Sequence, residues 1–193
     1  MTTDAQMPPD GQILPSGMSH DSYSDDYIAD ILRDCRVFAF VGASANTSRP
    51  SYFAMKYLLL KGYTVIPVNP GLAGQELLGQ KAVGRIGDLV APVDVIDIFR
   101  NSDAALEITR EAIALKDALG LKVIWMQLGV RNDEAARLAE AAGLRVVMNR
   151  CPKIEYGRLS GEIGWAGINT GRLTSTRPKL APLGVQSQLI GDK

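Results

Sequence analysis

A chain of 193 residues with 46% apolar and 22% charged side chains has room for one good core and the balance of a globular domain. Its 21 basic and 21 acidic side chains cancel, which argues against a broad nucleic-acid or membrane surface, and no apolar run approaches the roughly 20 residues of a membrane span. Two cysteines without paired spacing, Cys35 and Cys151, exclude a cysteine-built zinc site and fit a reducing compartment, with the cytoplasm as default.

Residues 1–22 are rich in Pro, Gly, Asp and Ser, lack periodicity, and read as a mobile tail that carries the lone His20 with no partner evident. The start is polar and acidic, unlike a secretory signal. Tyr23–Cys35 reads as a lead-in helix capped by Ser24, with Tyr27, Ile28, Ile31 and Leu32 on one side. Val37–Val41 is a continuous apolar run, as expected of a strand buried on both faces of a parallel sheet. Gly42 follows at a sharp turn. Ser44, Asn46, Thr47 and Ser48 are candidate caps, and Pro50 suits the first turn of a helix that ends at Gly62. Tyr63–Val68 is a second strand, so strand, helix and strand form a right-handed βαβ unit. Leu72–Leu89, interrupted by four glycines, has room for a short strand and one helical turn.

Pro92–Arg100 is a β-branched strand. Asp103–Leu119 is a helix with Ala105, Ile108, Ala112, Leu115 and Leu119 at steps of three and four. Lys122–Gln127 is a strand, Arg131–Ala142 a helix closed by Gly143, and Leu144–Met148 the last strand. The alternation predicts a Rossmann-like, doubly wound α/β fold, its mostly parallel sheet carrying helices on both faces over residues 23–160. From Gly157 onward the chain turns to Gly, Ser, Thr and Pro without clear periodicity, and residues 161–193 read as an arm that packs on the domain or on a partner; such an arm would suit a homodimer. Asp94 and Asp97 interrupt an apolar strand on opposite faces, which rules out a carboxylate pair and favours structural use.

Ligands of such sheets sit at the carboxyl ends of the strands. Here the turn at Gly42 is expected to aim free N–H groups and the positive end of a helix dipole at one spot, a site for phosphate. The dinucleotide fingerprint G-x-G-x-x-G is absent, and the second strand ends in Asn69-Pro70 where an acid would meet a ribose. No Gly-Lys-Ser/Thr follows Gly42 either, so the loop is not a Walker A loop.

Seven segments, VGAS at Val41–Ser44, PS at Pro50–Ser51, KYLLLKGYTVIPVNP at Lys56–Pro70, ELLGQKAV at Glu76–Val83, VDVIDIFR at Val93–Arg100, VIWMQLGV at Val123–Val130 and VVMNRCPKIEYGRL at Val146–Leu159, occur in order at natural spacing. Over residues 24–160 the chain resembles the small bacterial CoA-binding proteins, related to the CoA-binding domain of the succinyl-CoA synthetase α subunit. The resemblance implies coenzyme A or an acyl-CoA as ligand, with its phosphates over Gly42, Ala43 and Ser44 and over the helix start at Pro50-Ser51. Asn69-Pro70 and Phe99-Arg100 would flank the adenosine and pantetheine portions, with Gln127 and Gly129 completing the contacts. Arg49, Lys56 and Arg100 are the cations within reach of the several negative charges of a 3′-phospho-ADP group. The chain departs from the family pattern at Asn149, where relatives carry Asp.

Cys151 beside Arg150 and Lys153 would gain thiolate character if those cations face it, although a small buried cysteine is the plainer reading. There is no Gly-x-Ser-x-Gly elbow, metal-ligand cluster or His–Cys pairing, and the phosphohistidine domain of a succinyl-CoA synthetase is missing. The expectation is a non-catalytic CoA carrier or sensor. An NAD(P)-dependent oxidoreductase and an orphan half of an acyl-CoA ligase remain as alternatives.

Overall fold

A computed structural model describes residues 20–161; the expected arm and most of the expected tail lie outside them. The chain runs α1 (Asp25–Asp34), β1 (Val37–Val41), α2 (Pro50–Leu60), β2 (Thr64–Val68), the short hairpin β3 (Glu76–Leu77) and β4 (Gln80–Lys81), β5 (Val95–Ile98), α3 (Ser102–Ala114), α4 (Lys116–Leu119), β6 (Val123–Met126), α5 (Asp133–Ala141), β7 (Arg145–Val147) and α6 (Pro152–Leu159). The five-stranded sheet has the order β2-β1-β5-β6-β7, and every pairing in it is parallel.

Alternation along these strands divides the core. Ala39, Ile96, Ile98, Ile124 and Met126 face the small side chains of α3 and α5, among them Ala105, Ala112, Ala135 and Ala139. On the other face, Phe38, Phe40, Val95, Val123 and Trp125 pack against Ile28, Ile31 and Leu32 of α1, Met55 and Leu58 of α2, and Tyr156 and Leu159 of α6. The alanines let α3 and α5 approach the sheet and each other closely, whereas bulky side chains fill the α1/α2/α6 layer.

The edge strand β7 is covered by α1. Tyr27 Oη donates to the Val146 carbonyl at 3.1 Å and accepts from the Val146 N–H at 3.2 Å, and Tyr23 Oη accepts from Met148 N–H at 2.7 Å. These hydroxyls meet backbone groups that an edge would otherwise leave open to another strand. Ser24 caps α1 as expected, its Oγ accepting from Tyr27 N–H. His20 differs from its expectation: it is buried, 2.9 Å from Tyr23 Oη and 3.2 Å from Glu140. His20 is thus part of the packed domain.

Three further differences have local causes. The expected helix Asp103–Leu119 breaks at Leu115, where ψ rises to 3°, into α3 and α4. The strand expected from Pro92 pairs regularly only from Val95. Helix α6 occupies a stretch not read as helical; Pro152 starts it, and Tyr156 packs edge-on against Tyr57 and Tyr63, with ring centroids 6.0 Å apart in each case.

At the amino edge of the sheet, Asp94 Oδ2 accepts from Arg36 N–H at 2.8 Å and Val37 N–H at 3.0 Å, while Oδ1 pairs with Lys122 Nζ at 2.7 Å. Burial raises its pKa, but Lys122 and the two N–H groups outweigh burial and hold the carboxyl below its ordinary value. A depressed pKa adds stability above the unfolded carboxyl's pKa that is lost as pH falls through the folded one. Asp94→Ala is expected to lower unfolding free energy by about 2 kcal/mol at neutral pH. Urea unfolding should show the gap from wild type narrowing below about pH 4.

Candidate functional site

Gly42 ends β1 with φ +93°, a left-handed conformation that a side chain would strain. Its N–H donates to the Val68 carbonyl at 2.9 Å, and Ala43 N–H donates to the Phe40 carbonyl at 3.3 Å. The expected free N–H groups are therefore not those of Gly42 and Ala43, which turn inward to hold the loop. Ser44 Oγ accepts from Asn46 N–H, and Asn46 Oδ1 from Ser48 N–H. Among the described residues, the N–H groups of Ser44, Ala45 and Ser51 have no hydrogen-bond partner.

The cap differs from expectation as well. Arg49, and not Ser44, Asn46, Thr47 or Ser48, is the N-cap residue of α2, and no side chain caps the helix. Pro50 stands at the first helical position and Ser51 is buried beneath the turn. The loop side chains accept from backbone N–H groups within the loop and leave the first turn of α2 uncapped, which is the arrangement that favours an anion.

Asn69 braces the site. Its Nδ2 donates to the Ala43 carbonyl at 2.7 Å and its Oδ1 accepts from Gly71 N–H at 2.8 Å, so one side chain ties the β1 loop to the turn after β2 that begins at Pro70. Asn69 N–H donates to the Val83 carbonyl and Val83 N–H to the Pro67 carbonyl, which carries the following residues, Gly84 to Ile86, to the same edge. From β5, Phe99 N–H donates to the Val41 carbonyl, and the Phe99 ring packs on Phe40 with centroids 4.7 Å apart. Arg100 lies across the α-carbon of Gly42: a Cβ built there would meet Arg100 Cδ at 2.9 Å and the Phe99 carbonyl at 3.1 Å. Arg49, Lys56 and Arg100 are exposed, and none makes an ion pair among the described residues.

A cleft of about 250 Å³ opens where the sheet order reverses, between β1 and β5. Val41, Gly42, Val68, Asn69 and Pro70 form one side, Gly84, Arg85 and Ile86 another, and Arg100, Ile108 and Glu111 the rest. Arg49, Pro50, Ser51 and Lys56 do not line it. Sequence reasoning missed Arg85, Ile86, Ile108 and Glu111, which come from segments far apart in the chain.

Beyond the cleft the strand ends are already engaged. Gln127 Nε2 donates to both Asp97 carboxyl oxygens, at 2.9 and 3.1 Å. Asp97 is fully buried, on strand β5 between Phe40 of β1 and Trp125 of β6, and desolvation pushes its carboxyl well above the ordinary value against the pull of Gln127. Gly129 N–H donates to Asn149 Oδ1 at 2.8 Å, and Asn149 takes φ +53°, which Asn tolerates better than most residues. The departure at Asn149 thus serves a backbone turn. Burial raises the Cys151 thiol more than the Ile154 and Lys153 N–H groups lower it; Arg150 and Lys153 instead lie over the rings of Tyr23 and Tyr57. Among the described residues no group of three or more His, Cys, Asp or Glu is placed to hold a metal, and no helix is long and apolar enough to cross a membrane.

A family profile described as a CoA binding domain matches residues 36–157. The uncharacterized protein YneT of Bacillus subtilis (strain 168) is 33% identical over 129 residues, covering 67% of this chain and 91% of that protein. The solved structure of a hypothetical protein from Pyrococcus horikoshii OT3 is 36% identical with a TM-score of 0.67, over 76% of this chain and 99% of that one. The dinucleotide forming acetyl-coenzyme A synthetase 1 of Ca. Korarchaeum cryptofilum is 26% identical with a TM-score of 0.51, over 62% of this chain but 27% of that one.

Because the raised carboxyl of Asp97 is protonated more readily in the folded chain than in the unfolded one, stability falls as pH rises from the unfolded carboxyl's pKa towards the folded one. Asp97→Asn, a neutral isostere that meets Gln127 after an amide flip, is expected to abolish that decline. Urea titrations between about pH 4 and 8 should give a flatter stability profile for the variant than for wild type.

Proposed function

The chain belongs to the CoA-binding domain family, which makes coenzyme A its ligand, and we propose that it holds CoA or acyl-CoA at the carboxyl edge of the sheet without transforming it. The observation that carries this placement is the open loop: the N–H groups of Ser44, Ala45 and Ser51 lie unpartnered at the uncapped start of α2. The pyrophosphate rests over Gly42, Ala43 and Ser44 and against Pro50-Ser51, with Arg49 and Arg100 supplying charge. Two or three such charge-assisted contacts, at roughly 1.5–3 kcal/mol each, suffice for recognition. Asn69-Pro70 and Phe99 border the remainder of the ligand.

The carrier reading is supported by the state of the reactive groups at the strand ends. Asp97 is buried and bound to Gln127, and the Cys151 thiol is held towards its protonated form. Neither arrangement offers a ready nucleophile or base. A second reading is favoured by the similarity to 27% of the Korarchaeum synthetase: a domain of this kind acts within a larger CoA ligase there, and this chain would act with a separately encoded ATP-binding partner. Co-purification of such a partner supports that reading over a free carrier.

Calorimetric titration of the purified protein with CoA and, in parallel, NAD tests the placement. Binding of CoA at micromolar concentration with none for NAD is expected. Gly42→Ala, whose Cβ would meet Arg100 Cδ at 2.9 Å, should weaken CoA by about tenfold or more. Tight NAD binding in place of CoA, or an unaffected Gly42→Ala variant, overturns it.

A further inference from the structure

We propose that the face shared by α2 and α6 is the docking surface for the segment of this chain that follows Gly161. Glu162 pairs there with Lys61, and Ile163 and Trp165 lie over Leu60, Tyr57 and Phe53. This surface shares no residue with the cleft beside Gly42 and does not depend on the CoA reading.

Helix α2 is apolar around most of its circumference. Ala54, Met55 and Leu58 are buried in the core, yet Phe53 and Leu60 on the other side are 52% and 57% exposed. Phe53, Tyr57 and Leu60 fall at steps of four and three and form one stripe. A helix with apolar side chains on both faces is normally covered on both.

The chain leaves the domain beside this stripe. Helix α6 closes at Ser160, whose N–H donates to the Tyr156 carbonyl at 2.8 Å. Tyr156 packs edge-on against Tyr57, and its ring centroid lies 5.7 Å from the Lys61 ammonium. Gly161 then takes φ +81°, which turns the chain off the helix axis just over one turn beyond Tyr156. From Leu60 to Phe53 the stripe runs about 10 Å along α2. About three extended residues span that distance, so the segment Glu162–Ile168 is long enough to reach its far end.

The segment has the matching chemistry. It opens EIGWAGI, with Ile163, Trp165 and Ile168 set among small residues. Helix α2 contains no acid, and Glu155, the acid of α6, is held by Arg158 at 2.8 Å. Lys61 and Lys153 both place an ammonium over the Tyr57 ring, at 5.3 and 5.9 Å from its centroid. The face is therefore basic as well as apolar, and Glu162 brings the complementary charge as the first side chain beyond Gly161. A second copy of the same face would set lysines against lysines, which disfavours a symmetric dimer through it.

The test is tryptophan fluorescence of the full chain. Trp125 is fully buried and Trp165 is the other tryptophan, so subtracting the spectrum of Trp165→Phe from that of wild type isolates Trp165. Its emission is expected at shorter wavelength than that of free tryptophan, with acrylamide quenching several-fold weaker. Leu60→Glu and, independently, Phe53→Glu should return both readings to those of an exposed indole, each measured against its own Trp165→Phe partner. Glu162→Lys should do so in part. Val90→Glu, at an exposed site outside α2 and α6, should change neither reading. Circular dichroism with an unfolding midpoint confirms that each variant is folded. An indole exposed in wild type overturns the proposal, as does one whose shielding survives both Leu60→Glu and Phe53→Glu. Shielding that fades on dilution, with a dimer in sedimentation at the higher concentration, overturns it too and makes the occupant a segment of a second copy.

Discussion

The site depends on the absence of a side chain at Gly42. With its N–H bonded to the Val68 carbonyl, Gly42 extends the parallel β1–β2 ladder by one bond, and with φ +93° it turns the chain out of the strand. That leaves bare backbone for Arg100 to cross and an open first turn on α2. Asn69 then fixes the two strand ends to each other through the Ala43 carbonyl at 2.7 Å. A residue with a Cβ at position 42 would push Arg100 and the Phe99 carbonyl apart, and the brace would lose its register.

Sheet topology makes this spot a cleft. Because β2 lies on one side of β1 and β5 on the other, the connections after β1 and β5 depart to opposite faces, and a gap remains between them. The two layers behind it differ in kind. Alanine-rich α3 and α5 pack closely on one face, while aromatic and long aliphatic side chains fill the other. Asp97 intrudes into the aromatic layer as a buried carboxyl satisfied by Gln127, and Asp94 clamps the opposite edge of the sheet. The two acids, Asp94 just before β5 and Asp97 within it, are both structural, each through its own set of partners.

Much of this was legible in the sequence because local chemistry and global fold agree. An apolar pentapeptide, a glycine and a proline at the first position of a helix-forming run specify strand, turn and helix over Val37–Lys61 with little tertiary help. The exceptions mark where distant contacts decide. Helix α6 contains Gly157 and shows little helical periodicity; it is set by Pro152 and by Tyr156 packing between Tyr57 and Tyr63. The Ser44 hydroxyl and Asn46 side-chain carbonyl, which look like caps for α2, accept from backbone N–H groups of the loop instead. Arg85 and Glu111 reach the cleft through the Asn69–Val83 bonding and the packing of α3, which no spacing rule encodes. His20, in a stretch with the composition of a tail, is held by Tyr23 and Glu140.

The central claim is that CoA lies along the carboxyl edge of the sheet, from the open turn of α2 to the cleft under α3. Titration of ¹⁵N-labelled protein with CoA, followed by amide chemical shifts, tests it most directly. The largest changes are predicted at Gly42, Ser44, Ala45, Ser51 and Arg85, with Arg36, Val37 and Lys122 at the amino edge unmoved. Saturable shifts centred on the amino edge or on the outer faces of α5 and α6, with the Gly42 loop silent, would contradict it.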